Sequence, residues 1–234
     1  MTASSVCPAN YFFWVFTTYL FWIPFYSKYY EGPIGDAFGE IRAYFGVTFS
    51  LEASSVGGVL LMAFVGIILK EFIGYWVHRL MHRFMFLWRI HATHHHVAKL
   101  NVTHTDRTHP LEWIGLTLGS AIVLSFFGAS AEVMAVVFTF ITATVHLSHC
   151  NLPLKSGVYG WIFTTAEQHR VHHSLDFTES NRNFGCSVIF WDRIFGTYDA
   201  TTEVANMGSG TGKRLSFWRQ ISLPFYSNKT LRNL

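Results

Sequence analysis

Four runs of apolar residues alternate with polar segments along the chain, at residues 11–26, 56–77, 111–127 and 131–147. Their lengths are close to the roughly 20 residues with which an α-helix crosses a bilayer. The last two runs are separated only by Gly128, Ala129 and Ser130, and so short a link predicts a tight helical hairpin. The pattern therefore predicts an all-α, polytopic membrane protein with about four transmembrane helices.

Histidines concentrate in the polar segments that follow these runs, in three clusters with helical spacing. The three clusters comprise His78 and His82; His91, His94 and His95; and His169, His172 and His173. Residues three and four apart lie on one face of a helix, so we expect each cluster to present its imidazoles as one patch. A lone histidine in an apolar chain is ordinarily a core residue, but the repeated spacing favours metal ligands. Eight ligands exceed the needs of one ion and suit two ions held close together.

Other histidines lie near the ends of the predicted spans. His149 lies just past the fourth run, and His146 precedes His149 by about one helical turn on the same face, so both are predicted ligands. His96 extends the middle cluster but points away from its face, and His109 precedes Pro110 at the start of the third span. We assign His96 and His109 to supporting roles beside the ligands.

Basic residues indicate on which side of the membrane the clusters lie. Four spans place all three clusters and both termini on one side. Residues 78–110 and 148–234 there carry 14 Lys and Arg, and the opposite side carries two, Lys28 and Arg42. The positive-inside rule then predicts a cytoplasmic, helical, histidine-rich cap, on the endoplasmic reticulum or a bacterial inner membrane. The three clusters stay on the same side of the membrane whether the hairpin of runs three and four crosses the bilayer or only enters it.

Composition agrees with a membrane protein and excludes several other classes. Half of the residues are apolar and only 13% are charged, against about a quarter in soluble domains. The basic residues form no block, which argues against nucleic-acid binding. The three cysteines are far apart, so neither a disulfide framework nor a cysteine zinc site is expected.

One carboxylate inside the second run needs an explanation, because charges within a span are costly. Glu71 lies seven residues before His78, which is two turns away on nearly the same face. It is placed either to orient a ligand histidine or, with Lys70, to form a pair at the membrane surface.

The chemistry of such a site favours iron. Imidazole suits iron and zinc alike, but a zinc hydrolase needs only three ligands and a water, and the chain has no H-E-x-x-H motif. A histidine site for two metals at a membrane surface suits dioxygen and the oxidation of lipid C–H bonds. The alternatives are a zinc-dependent membrane hydrolase and a histidine-rich metal transporter, whose ligands should lie along a path through the membrane.

The motifs resemble those of the fatty acid hydroxylase/sterol desaturase superfamily of membrane di-iron enzymes. The matching segments are WVHRLMH (76–82), HATHH (91–95), HRVHH (169–173), HPLE (109–112), HCN (149–151), NFG (183–185) and WDRIFGT (191–197). The resemblance covers roughly residues 60–200. It predicts a membrane helix and loop over 1–55, the di-iron domain over 56–200 and a cytoplasmic tail over 201–234.

The resemblance implies an activity and its partners. It implies two histidine-bound irons, O2, and a lipid substrate of sterol or fatty acyl type that is hydroxylated or desaturated. It also implies an electron donor such as a cytochrome b5 or a ferredoxin with its reductase. Asn183 and Asp192, in the two motifs that follow the third histidine cluster, are implied to support the ligands. Zinc can replace iron in a purified protein, because imidazole sites bind it more tightly than Fe(II).

Overall fold

The computed structural model describes residues 27–97, 99–152, 156–201, 203–208 and 216–232. The first predicted span, 11–26, lies outside the described residues. The α-helices are α1 (Gly35–Tyr44), α2 (Val56–Arg83), α3 (Met85–His95), α4 (Pro110–Phe126), α5 (Ala131–Ser148), α6 (Ala166–His172), α7 (Phe177–Ser180), α8 (Phe190–Ile194), α9 (Phe217–Ile221) and α10 (Asn228–Arg232).

The described residues are helical, as the sequence predicts. A π-helical segment at Ser27–Ile34 contains a kink at Gly32, and short 3-10 turns occur at Val102–His104, Tyr159–Trp161 and Leu223–Phe225. Pairing of extended backbone in this part of the chain is limited to two isolated bridges, Phe163 with Val188 and Ser174 with Met207.

Two of the described helices, Val56–Arg83 and Ala131–Ser148, are long and apolar enough to cross a membrane. The third predicted span forms α4, a helix of 17 residues. Large apolar side chains on α2 are exposed, among them Val56, Leu60 and Leu61. An exposed apolar surface of this kind is typical of contact with lipid or another protein.

The chain divides into two compact units. The first takes the described residues of Met1–Lys70 with Leu118–Phe140. Its core brings Gly66 of α2 against Leu124 of α4 and Val137 of α5, where an added Cβ would lie 3.2 and 3.4 Å from those side chains. The link between α4 and α5 is as tight as predicted, and Gly128 supplies the positive φ of 59° that this turn requires.

The second unit takes Glu71–Thr117 with Ile141–Leu234 and contains all 13 histidines. α2 ends at Arg83 because Phe84 is extended, with φ −108° and ψ 120°, and α3 begins one residue later. This break lets the last turns of α2 and the body of α3 present their histidines to the same interior. α6 begins with a capping box, in which Thr165 and Gln168 satisfy each other's backbone N–H groups.

Candidate metal centre

Nine buried histidines form two groups in which the ring nitrogens converge. The nitrogens of each group lie within 4.8 Å of one another. The five-histidine group consists of His78, His82, His91, His95 and His172. The four-histidine group consists of His94, His149, His169 and His173. Nine of the ten histidines that the sequence predicts as ligands are thus brought together.

The two H-x-x-H-H motifs are each divided between the groups, contrary to the expectation that each forms a single patch. In the first, His91 and His95 join the five-histidine group and His94 the other. In the second, His169 and His173 join the four-histidine group and His172 the other. Residues four apart lie 40° from each other around a helix, while adjacent residues lie about 100° apart. One H-x-x-H-H motif, within little more than one helical turn, can therefore contribute histidines to both groups.

The two groups adjoin. The rings of His95 and His173 are stacked with centroids 4.5 Å apart, although they belong to different groups. The rings of His94 and His95, which follow each other on α3, have centroids 5.7 Å apart. The arrangement fits two metal ions that lie close together.

Distances between nitrogens are those of ligands that share an ion. Nε2 of His78 lies 2.9 Å from Nε2 of His91, and Nε2 of His149 lies 3.2 Å from that of His94 and 3.0 Å from that of His169. Nitrogens at about 2.1 Å from one metal, at octahedral or tetrahedral angles, are about 3.0 to 3.4 Å apart. The donor set therefore fits a metal.

Hydrogen bonds fix which ring nitrogen faces the centre. Nδ1 of His78 donates to the Phe184 carbonyl at 2.6 Å, and Nδ1 of His91 donates to Glu112 at 2.7 Å. The Nε2 atoms of these two rings therefore face each other with their lone pairs, which repel unless a cation lies between them. A proton can satisfy one such pair, but not five converging nitrogens.

His82 supports the same conclusion. Both of its ring nitrogens are buried and make no hydrogen bond within the described residues. An unpaired buried polar group is costly, and a metal bond removes that cost for the nitrogen that binds the ion.

Burial keeps six of these histidines neutral, as metal ligands must be. Loss of solvation, followed by repulsion from neighbouring histidines, holds the pKa of His94, His95, His169 and His173 well below the usual range. Burial also lowers the pKa of His149 to about 4 and that of His172 to about 3. Their nitrogens are available to a metal at neutral pH.

An irregular segment after α7, the carbonyl brace Arg182–Gly185, binds the rings of two clustered histidines. The Arg182 carbonyl accepts from Nδ1 of His172 at 2.9 Å, and the Phe184 carbonyl accepts from Nδ1 of His78. Asn183 between them has a positive φ of 52°. Such an outer contact sets ring orientation and raises ligand basicity.

Asn183 and Asp192, implied by the resemblance, hold this brace in place. The Asn183 amide donates to the carbonyls of Gln168 and Asp199, both at 3.0 Å. The fully buried Asp192 carboxylate accepts from the N–H groups of Phe184 at 2.8 Å and Gly185 at 2.7 Å. Burial raises the pKa of Asp192 to about 6, while these two bonds and a bond from the Thr197 hydroxyl lower the pKa. The carboxylate is therefore mostly ionised at pH 7.

The remaining predicted supporting residues make other contacts. Glu71 is buried, and its Oε2 accepts from the Ser187 N–H at 3.0 Å, just beyond the carbonyl brace. His109 accepts from the Leu111 N–H at Nδ1 and donates to the Ile221 carbonyl from Nε2. His109 therefore binds the C-terminal segment and, within the described part of the chain, makes no hydrogen bond to any of the nine grouped histidines. His96 is buried directly after α3.

His146 differs from the prediction, because its ring lies outside both groups. Nδ1 donates to the Thr142 carbonyl at 2.7 Å, and Nε2 lies 3.5 Å from Asp106. The two rings face different partners: the His146 ring contacts Thr142 and Asp106, while Nε2 of His149 faces His94 and His169.

We expect His146→Ala to retain the full metal content of the wild-type protein, since neither group loses a ligand. Metal analysis by mass spectrometry of the purified variant measures this. A variant that loses one ion per chain would restore His146 to the ligand set.

Glu112 contacts a clustered histidine and is a candidate site residue that sequence reasoning missed. It is buried and binds Nδ1 of His91, and its signal was the HPLE motif that spans 109–112. Loss of such a partner costs about 10- to 100-fold in metal affinity or activity.

We expect Glu112→Gln to weaken metal retention by about that factor, because the amide accepts less strongly from His91. Dialysis against a graded series of chelator concentrations measures the loss. Glu132→Gln on α5, at an exposed position, is the matched control and should behave as the wild type does.

The comparisons with known proteins agree with this geometry. A family model described as fatty acid hydroxylase matches residues 63–197. An ornithine lipid hydroxylase of Rhizobium tropici is 32% identical over 80% of this chain and 61% of its own length. An alkylglycerol monooxygenase of Caenorhabditis elegans is 28% identical over 68% of this chain and 31% of its own.

A sphinganine C4-monooxygenase of Arabidopsis thaliana is 35% identical over 53% of this chain and 49% of its own length. The chain thus spans between about a third and three fifths of the length of these relatives. No solved structure matches it significantly. The relatives are lipid hydroxylases and monooxygenases, and the chain belongs to the fatty acid hydroxylase family.

Proposed function

We propose that this protein is a membrane-bound di-iron monooxygenase that hydroxylates an alkyl C–H bond of a lipid. The balanced reaction joins the lipid, O2, two electrons and two protons to give the hydroxylated lipid and water. Two irons, when bound, supply the activation of O2 that an unreactive C–H bond requires. The observation that carries the proposal is the pair of adjoining groups of buried histidine nitrogens.

The chain's own residues bind, orient and shield the metals in this proposal. The nine histidines supply neutral nitrogen ligands. Glu112 and the carbonyl brace hold the rings of His91, His172 and His78 at fixed angles. Burial of all nine side chains, each at most 6% exposed, keeps bulk water from the centre and protects the oxidant from side reactions.

The relatives support a lipid substrate and favour hydroxylation over desaturation. Their names refer to an ornithine lipid, an alkylglycerol and sphinganine, and to hydroxylase or monooxygenase activity. By analogy we propose a lipid with a long alkyl chain as the substrate. Desaturation would remove two hydrogens and add no oxygen, so the mass of the product distinguishes the two reactions.

The membrane topology and the electron donor belong to the same proposal. We propose that the metal centre lies at the cytoplasmic face, with the predicted four spans, where a cytochrome b5 or a ferredoxin with its reductase can reach it. The two apolar helices and the lipid-modifying relatives support membrane association.

The zinc hydrolase and the metal transporter fit the site less well. A catalytic zinc uses three protein ligands and leaves a position open for water, whereas one group here offers five histidines and the other four. A transporter would distribute its ligands along a path, whereas these nine nitrogens form one buried cluster of two groups.

Turnover with isotopically labelled dioxygen tests the proposal. The protein is expressed in a lipid-producing host, purified anaerobically with Fe(II), and supplied with the host's lipids, a reductant and ¹⁸O2. We expect one lipid species to gain one labelled oxygen atom, with loss of product when iron is removed. A product that carries oxygen only from water, or activity with zinc alone, would contradict the proposal.

A further inference from the structure

A cavity of about 170 Å³ lies against the five-histidine group. The ligand His95 lines it, and Trp88 and Ala92 of α3 form the adjoining wall. The Trp88 ring is 5.2 Å from the ring of His95 and 5.0 Å from that of His82. A molecule in this cavity would therefore lie next to the metal centre.

The opposite wall comes from the C-terminal segment 216–232, beyond the residues that match the family model. Leu223, 2% exposed, packs with Ala92, and Leu231 packs against the same cluster. Arg89 of α3 donates to the Pro224 carbonyl at 3.3 Å and to the Asn228 side chain. The tail is thus hydrogen-bonded to α3, the helix that carries His95, and covers one side of the cavity.

The mouth of the cavity exposes apolar side chains. Leu175, between α6 and α7, and Phe177, the first residue of α7, line it and are 45% and 59% exposed. The lining combines six apolar or aromatic side chains with two imidazoles, two serines and Gly208, and no lining residue in the described part of the chain is Lys or Arg. The apolar side chains can hold a methylene chain, and the lining offers no counter-charge to an anionic headgroup.

We propose that this cavity binds the alkyl chain of the lipid substrate and that Leu231 of the C-terminal segment sets how much chain it admits. The chain enters past Leu175 and Phe177 and lies along Trp88 and Ala92. The inference rests on the proposed function for the identity of the occupant, and it adds where the chain binds and which residue limits it. It assigns the tail, which lies beyond the residues that match the family model, a role in substrate choice.

Photo-crosslinking tests the site directly. The iron-loaded, full-length protein in lipid nanodiscs is irradiated with palmitic acid that carries a diazirine in its chain, and labelled peptides are mapped by mass spectrometry. We expect labels on α3 near Trp88 and on the tail near Leu231. Leu231→Trp fills the cavity and should reduce labelling of α3 by about tenfold.

A second variant at the mouth keeps the test independent of tail packing. Phe177→Asp places a charge at an exposed position, where folding tolerates it, and should also reduce labelling of α3 by about tenfold. Phe225, in the same tail and 83% exposed, does not line the cavity. Phe225→Trp and Phe225→Asp are therefore the matched controls and should label as the wild type does.

The outcomes separate this inference from the proposed function. Labels confined to other segments, or labelling of α3 unchanged in both Leu231→Trp and Phe177→Asp, would overturn the cavity as the chain-binding site even if lipid hydroxylation proceeds. Labelling of α3 that both variants abolish, in a protein that incorporates no oxygen from O2, would support the cavity and contradict the monooxygenase.

Discussion

Replacing His172 with alanine should abolish lipid hydroxylation and weaken the binding of the metal ion in the five-histidine group. The His172 ring packs against three members of the five-histidine group, with centroids 4.5 Å from His78, 4.6 Å from His82 and 4.7 Å from His95. Its removal takes a ligand from a fully buried site that water reaches poorly. We expect turnover to fall by more than about a hundredfold, beyond the effect of losing an outer partner of a ligand.

The matched control for this prediction is His104→Ala. His104 is half-buried, lies outside both groups and accepts from the Asn101 N–H at 3.2 Å. Turnover of both variants is measured in isolated membranes, with immunoblotting to show that each remains there. Normal turnover in His172→Ala would remove His172 from the ligand set.

Asp192→Asn should weaken metal binding and destabilise the fold together. Asp192 Oδ1 accepts from Phe184 and from the Thr197 hydroxyl at 2.6 Å, and Oδ2 accepts from Gly185. Asparagine turns an NH2 group toward one of these donors and leaves that donor unpaired, at a cost of about 1 to 3 kcal/mol. The carbonyl brace then loosens, and we expect metal affinity to fall by about 10- to 100-fold.

Thermal unfolding and metal titration of the same preparation measure both effects of Asp192→Asn. The control is Asp199→Asn, because the Asp199 side chain caps the backbone of Thr201 at 2.8 Å and lies outside the brace. Equal metal affinity in Asp192→Asn and the wild type would show that the brace does not orient the ligands.

The apolar runs and the repeated histidine motif predicted most of the helices and most of the clustered histidines. The apolar runs predicted α2, α4 and α5 and the tight turn at Gly128, because helix length and turn length follow from local sequence. The repeated H-x-x-H-H motif predicted the residues that meet. It did not predict the division of His94 from His95 or of His172 from His173, which depends on where α3 and α6 pack.

The residues that sequence reasoning missed act through irregular backbone or across long distances. The carbonyls of Arg182 and Phe184 carry no side-chain signal, and their position depends on the positive φ of Asn183. Glu112 lies 21 residues from His91, its partner. His146 was placed with the ligands because helical spacing does not show which partner a ring meets, and its partner Asp106 is distant in sequence.

Metal stoichiometry tests the central claim most directly. The protein is purified without metal, loaded anaerobically with Fe(II), freed of excess ion, and analysed for iron and for protein by mass spectrometry and amino-acid analysis. Two adjoining groups of histidine ligands predict two irons per chain. A value of one iron per chain or none, in a folded preparation, would contradict the account.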